Sequence, residues 1–189
     1  MLLLIEATPM VSSDQEAVAR TLESLAQALR ARGDRLVEAQ VAADRSRLFL
    51  IIEASEGASA ERAVREAGLE VRLAKPVRLV GQEVEEISRS RSGVDFIVEW
   101  NFPPGLTMEA YLARKRANSP RYALVPEVRF LRTYVCEDMS KCICFYEAER
   151  EEDVRRAREV VEAPVDAIIR VDRELRPEVS DQSALGRAE

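Results

Sequence analysis

Hydrophobic and polar positions along the chain switch repeatedly between the period of a strand and that of a helix. The apolar run Leu2 to Glu6 reads as a strand. A helix follows, with Ser13 and Glu16 in the spacing of a capping box. Val18, Leu22, Leu25, Ala26 and Leu29 make its apolar stripe, and Gly33 its stop. Leu36 to Val41 and Arg47 to Glu53 are strand-like and flank the turn Asp44-Arg45-Ser46, which predicts a hairpin. A short helix over Ser59 to Ala67 and a strand over Val77 to Val80 complete an order of βαββαβ.

That order then recurs. Val94 to Trp100 predicts a strand, and Thr107 caps a helix running to about Asn118, before Pro120. Val128 to Cys136 and Lys141 to Glu147 predict a second hairpin. Glu151 to Val161 reads as a helix with an acidic first turn, and Ala167 to Val171 as the closing strand. The residues repeat as well as the elements. Val41-x-x-Asp44-x-Ser46-Arg47 matches Val135-x-x-Asp138-x-Ser140-Lys141, and Ile52-Glu53-Ala54 matches Tyr146-Glu147-Ala148 at the same offset. Leu4-Ile5-Glu6 matches Ile97-Val98-Glu99 one residue out of step. The expected fold class is therefore α+β: two tandem ferredoxin-like repeats, 1–81 and 94–175. A polar linker over 82–93 joins them, and a mobile tail, 176–189, follows. Such a sheet has helices on one face only, so the other must be covered. Packing the two sheets face to face gives a single-chain dimeric α/β-barrel, a monomer built as a pseudo-dimer or a higher homo-oligomer of it.

Composition narrows the chemistry. The chain has 189 residues and a net charge of −6, which argues against nucleic acid as a partner. No run of about 18 apolar residues marks a membrane span. The short apolar start lacks a basic flank, so the cytoplasm is the expected compartment. The three cysteines are too few and too clustered for a disulfide framework. There is no histidine, which excludes Ser-His-Asp and Cys-His catalysis and any imidazole-dependent metal site.

Cys142 and Cys144 stand two apart on a predicted strand, so their thiols share a face, with Cys136 on the paired strand. Soft thiolates suit nickel, copper(I) or zinc; equally, free cysteines serve as small core hydrophobes. Asp95 and Glu99 share one face of another strand, Glu147 ends a third, and Glu6 and Glu53 are the counterparts in the first repeat. Carboxylates in apolar strands can line a cavity between the sheets, ligating a cation or exchanging protons. They can also lie at strand ends in water or pair with Arg129, Arg132 or Arg170. Tyr134, Tyr146 and Trp100 are expected either to line that space or to be core. The basic run Arg114-Lys115-Arg116 reads as a solvated helix face.

The second repeat resembles a known family. Phe96-Ile97-Val98-Glu99, Pro104-Gly105-Leu106-Thr107 and above all Lys141-Cys142-Ile143-Cys144-Phe145-Tyr146-Glu147-Ala148 are similar to small bacterial domains typified by a nickel-binding, nickel-responsive protein. The resemblance covers about Val94 to Leu175. It implies a ferredoxin-like fold that pairs into dimeric α/β-barrels, and nickel as a ligand. It carries over Glu99, Cys142, Cys144 and Glu147 without a ligand role for each. The first repeat has Leu48 and Leu50 where the cysteines would stand, as in a degenerate copy.

Three functions remain open on this reading. The leading one is a metal-binding protein for nickel or another soft or borderline divalent ion, with Cys142, Cys144 and Cys136 giving sulfur and Glu99, Asp95 or Glu147 oxygen. The second is a small-molecule enzyme of the dimeric α/β-barrel type, such as a monooxygenase or isomerase, with Glu or Asp as base and Tyr134 or Tyr146 assisting. The third is a non-catalytic module that binds a ligand or a partner.

Overall fold

The computed structural model describes residues 1–10, 14–81, 84, 87 and 93–175. In chain order the elements are β1 (Leu2–Pro9), α1 (Gln15–Ala31), β2 (Arg35–Val41), β3 (Leu48–Glu53), α2 (Gly57–Glu66) and β4 (Leu69–Val80). The second half follows with β5 (Phe96–Asn101), α3 (Met108–Asn118), a 3-10 turn (Ser119–Leu124), β6 (Arg129–Cys136), β7 (Lys141–Glu147), α4 (Glu151–Val160) and β8 (Ala167–Arg170). The order βαββαβ therefore occurs twice, as expected. Ser13, the anticipated helix cap, lies outside the described residues; α1 is capped by Asp14, whose carboxylate accepts from the Ala17 N–H. Thr107 caps α3 through the Ala110 N–H, as predicted. The proposed tail lies outside the described residues, as does the linker apart from Val84, Ile87 and Gly93.

The strands form one eight-stranded antiparallel sheet in the order β2-β3-β1-β4-β6-β7-β5-β8. β4 makes the junction and is much longer than its predicted core. Leu69 to Pro76 pair with β1, and Val77 to Val80 pair with β6 of the other half. At the opposite edge Val171 bridges to Ala42, with Ala43 N–H donating to the Arg170 carbonyl and Asp172 N–H to that of Val41. These bonds close the sheet into a barrel.

The two hairpin turns are built alike. Asp44 accepts from the Ser46 N–H and hydroxyl, and Asp138 does the same for Ser140. Arg45 and Met139 then take positive φ angles of 59° and 54°. Such Asx turns give the backbone a local hydrogen-bonded alternative to the ladder.

Alternation along the strands separates three apolar layers. Leu3, Ile5, Leu48, Leu50 and Ile52 pack under α1 and α2. Phe96, Val98, Trp100, Cys142, Cys144 and Tyr146 pack under α3 and α4. Leu4, Phe49, Ile51, Ile97, Tyr134, Cys136, Ile143 and Phe145 fill the barrel interior, where Val84 and Ile87 also pack.

Candidate functional site

The strand register divides the residues singled out in the sequence between the two faces of the sheet. β6 and β7 pair Val135 with Cys142, Thr133 with Cys144 and Tyr134 with Ile143. Side chains opposite one another share a face. Cys142 and Cys144 therefore lie with Thr133 and Val135 beneath the helices, while Cys136 turns with Tyr134 into the barrel. The expected approach of three sulfurs does not occur. Trp100 and Tyr146, anticipated as possible liners of the inter-sheet space, also lie on the helical side; Tyr134 alone of the three faces the interior.

The carboxylates go elsewhere again. Glu99 faces the barrel interior with Glu6, and both are about nine-tenths buried. Arg47 donates to Glu6 at 2.7 Å and to Glu99 at 2.9 and 3.0 Å. Lys141 donates to Glu6 at 2.7 Å and to Glu99 at 2.5 Å. This ring of two cations and two anions is self-neutralising. Burial pushes the Glu99 carboxyl up, but the hydrogen bonds from Arg47 and Lys141 outweigh it and hold the group below its usual range. Asp95 accepts from the Ala148 N–H and from Arg173. Glu147 pairs with Arg129 at the surface, as Glu53 pairs with Arg35. Deeper in the barrel Arg132 makes a two-point ion pair with Glu38, which also accepts from Tyr134 and Gln40. Pairing with arginine, the alternative expected for the carboxylates, describes each of these positions, with Lys141 as a further, unexpected partner of Glu6 and Glu99.

The thiols have a different environment. Cys142 and Cys144 are buried with their sulfurs 3.9 Å apart. Arg158 on α4, only 3% exposed, donates to the Cys144 sulfur at 3.5 Å and to the Tyr146 hydroxyl at 3.2 Å. Thr133 donates to the same sulfur at 3.1 Å and accepts from Lys115 of α3 at 3.3 Å. Burial raises the Cys142 thiol well above its usual range. Its hydrogen bond to Cys144, aided by Arg158 and Lys115, holds Cys144 well below. The two thiols are thus pushed apart, Cys142 toward the protonated form and Cys144 toward the thiolate.

Above them lies a cavity of about 40 Å³ lined by Arg158, Lys115, Arg114, Tyr111, Tyr122 and Asn118, among others. Lys115 was expected on a solvated face. It instead turns inward one helical turn beyond Tyr111, with its ammonium 3.9 Å from the Phe130 ring centroid. Burial lowers its pKa. Arg158 was not anticipated, although its place between Ala157 and Val161 on the buried stripe of α4 carried the signal.

Two thiolate–metal bonds of ~2.3 Å span ~3.8 Å at a tetrahedral angle and ~4.6 Å when collinear, so the 3.9 Å separation matches a bent sulfur–metal–sulfur chelate. Among the described residues, no group of three or more His, Cys, Asp or Glu side chains is placed to hold a metal. Cys136, Asp95, Glu99 and Glu147 are committed elsewhere, and two cations flank the thiols. The residues present do not fit a divalent ion held by four protein donors.

Residues 96–171, the span from β5 to just beyond β8, match a family described as nickel responsive protein SCO4226-like. The whole chain is similar in fold to a protein provisionally described as chlorite dismutase TA0507. That similarity has a TM-score of 0.59 at 10% identity and covers 90% of this chain and 94% of the other. A protein provisionally described as a monooxygenase from Lactobacillus acidophilus NCFM aligns over 93% of this chain and 95% of its own, with a TM-score of 0.49 at 9% identity. The first of these similarities, at so low an identity, speaks to the fold alone, a dimeric α/β-barrel formed by one chain. No curated protein matches the sequence. No helix among the described residues is long and apolar enough to cross a membrane.

Proposed function

We propose that this protein is a non-catalytic binding protein whose ligand is a soft metal ion held by Cys142 and Cys144. The observation that carries this reading is the pair of buried sulfurs 3.9 Å apart, one of them favoured as thiolate. Thiolates select soft ions, and two of them suffice for an ion of low coordination number. The family matched by the second half gives nickel as the first ion to try. Cys136, Asp95, Glu99 and Glu147 take no part in this reading. An enzyme working in the inter-sheet space is less well supported. Apolar side chains fill that space, and its carboxylates are each paired with a cation.

The test is elemental analysis of protein purified without an affinity tag, followed by titration with nickel(II), zinc(II) and copper(I). Stoichiometric binding of one of these ions, lost in the Cys142→Ser/Cys144→Ser double variant, is expected. Binding that survives in that variant, or a protein indifferent to all three ions, refutes the reading.

A further inference from the structure

The cavity between α3, α4 and the 3-10 turn is lined by three cations and no carboxylate. Arg158, Lys115 and Arg114 take part in no ion pair among the described residues, in a chain that pairs most of its other arginines with carboxylates. Arg158 faces the Cys144 sulfur, and Arg114 is exposed and close enough to the Glu162 carboxyl to lower its pKa; their other partners are neutral. Arg158 reaches Tyr146, the Pro164 carbonyl and Cys144. Lys115 sits over Phe130 and reaches Thr133, and Arg114 reaches the Glu162 carbonyl beside the Trp100 ring. The Nε of Arg158 is buried with no hydrogen-bond partner. The buried Arg158 guanidinium and the partly buried Lys115 ammonium together bring more positive charge than the one sulfur they share can offset, and burial makes that excess costly.

The geometry points to a binding site for a small oxyanion in this cavity. A space of 40 Å³ takes about three waters or one anion of a few heavy atoms, at ~10–15 Å³ each. The donors arrive from several directions: a planar guanidinium with a spare N–H, an ammonium, and the hydroxyl of Tyr122. That arrangement suits several acceptor oxygens on one centre better than a single spherical halide. The site rests on the cations and not on the thiols, so it stands or falls separately from the metal reading.

The test uses the full chain after treatment with a chelator. Equilibrium dialysis with labelled sulfate, in sodium chloride of fixed ionic strength, measures stoichiometry directly, and nitrate and bicarbonate serve as competitors. About one saturable site per chain, competed by the other oxyanions, is expected. Lys115→Gln and Arg158→Gln should each weaken it about tenfold or more, the worth of a hydrogen bond to a charged group. Should Arg158→Gln fail to fold, the half-buried Lys115→Gln carries the comparison. The Cys142→Ser/Cys144→Ser variant should keep the anion while losing the metal, which separates the two proposals. The site is overturned if no oxyanion binds saturably up to about 50 mM, or if binding is unchanged by Lys115→Gln.

Discussion

Glu6 and Glu99 share the same two cations. Each carboxylate accepts from both Arg47 and Lys141, and the two acids come from equivalent strands of the two halves, as the two bases come from equivalent hairpins. The ring joins the halves across the barrel interior, and removing any one member leaves an unbalanced charge in a largely dry place. Glu99→Gln should therefore lower the unfolding free energy by about 2–3 kcal/mol, below the range for a fully buried pair because Arg47 is about one-third exposed. Urea denaturation of the variant checks this.

The same ring sets a pH window. The Glu99 carboxyl lies below 4.5 in the folded protein, so its contribution is complete above that value and lost as pH falls through the lower folded value. The Lys141 ammonium is raised above 10.5 by Glu6 and Glu99 despite burial, so its contribution is complete below 10.5 and lost at higher pH. The ring's contribution should be flat between these limits and fall on both sides. In Glu99→Gln the acid fall should be shallower, as read from melting temperatures between about pH 2 and pH 6, which brackets ordinary carboxylate pKa values.

The two thiols should differ in what they contribute. Cys144 is the sulfur that buried Arg158 reaches and is pushed toward the thiolate, whereas Cys142 is pushed toward the protonated form. Cys142→Ala should cost about 1 kcal/mol, in line with a small cavity. Cys144→Ala should cost about 2 kcal/mol more, because it strands the guanidinium. Equal losses in chemical denaturation would mean that Cys144 is not a thiolate.

The barrel interior depends on large side chains that fill it. Phe49 is fully buried there, with the Arg47 guanidinium 4.8 Å from its ring centroid. Phe49→Ala should destabilise the chain by about 3–5 kcal/mol. A loss below about 1.5 kcal/mol, the range of tolerated hydrophobic swaps, would show that the interior collapses around the gap.

Periodicity carried most of the fold. β7 spans Lys141–Glu147 as read from the sequence, and the capped helix α3 runs Met108–Asn118. The early part of β4 escaped notice because Leu69 to Pro76 mixes charged and apolar residues and is only partly buried. The site was half legible. Spacing put Cys142 and Cys144 on one face, and α4 concealed Arg158 in plain view on its apolar stripe. What no spacing revealed was which face of the sheet each residue takes. Register settles that, and two irregularities in the ladder, between Leu36 and Glu38 and between Phe130 and Arg132, reset the alternation.

Those two irregularities fall at corresponding points of the two halves, and the residues that follow them, Glu38 and Arg132, meet each other inside the barrel. In an assembly of two identical subunits, a position that meets its own counterpart is matched with a copy of itself, so such a site cannot hold opposite charges. Two second halves docked in this manner would oppose Arg132 to Arg132, and two first halves Glu38 to Glu38. The covalent link between the halves removes that restriction. Each half is thereby specialised as the other's complement and made a poor match for its own kind.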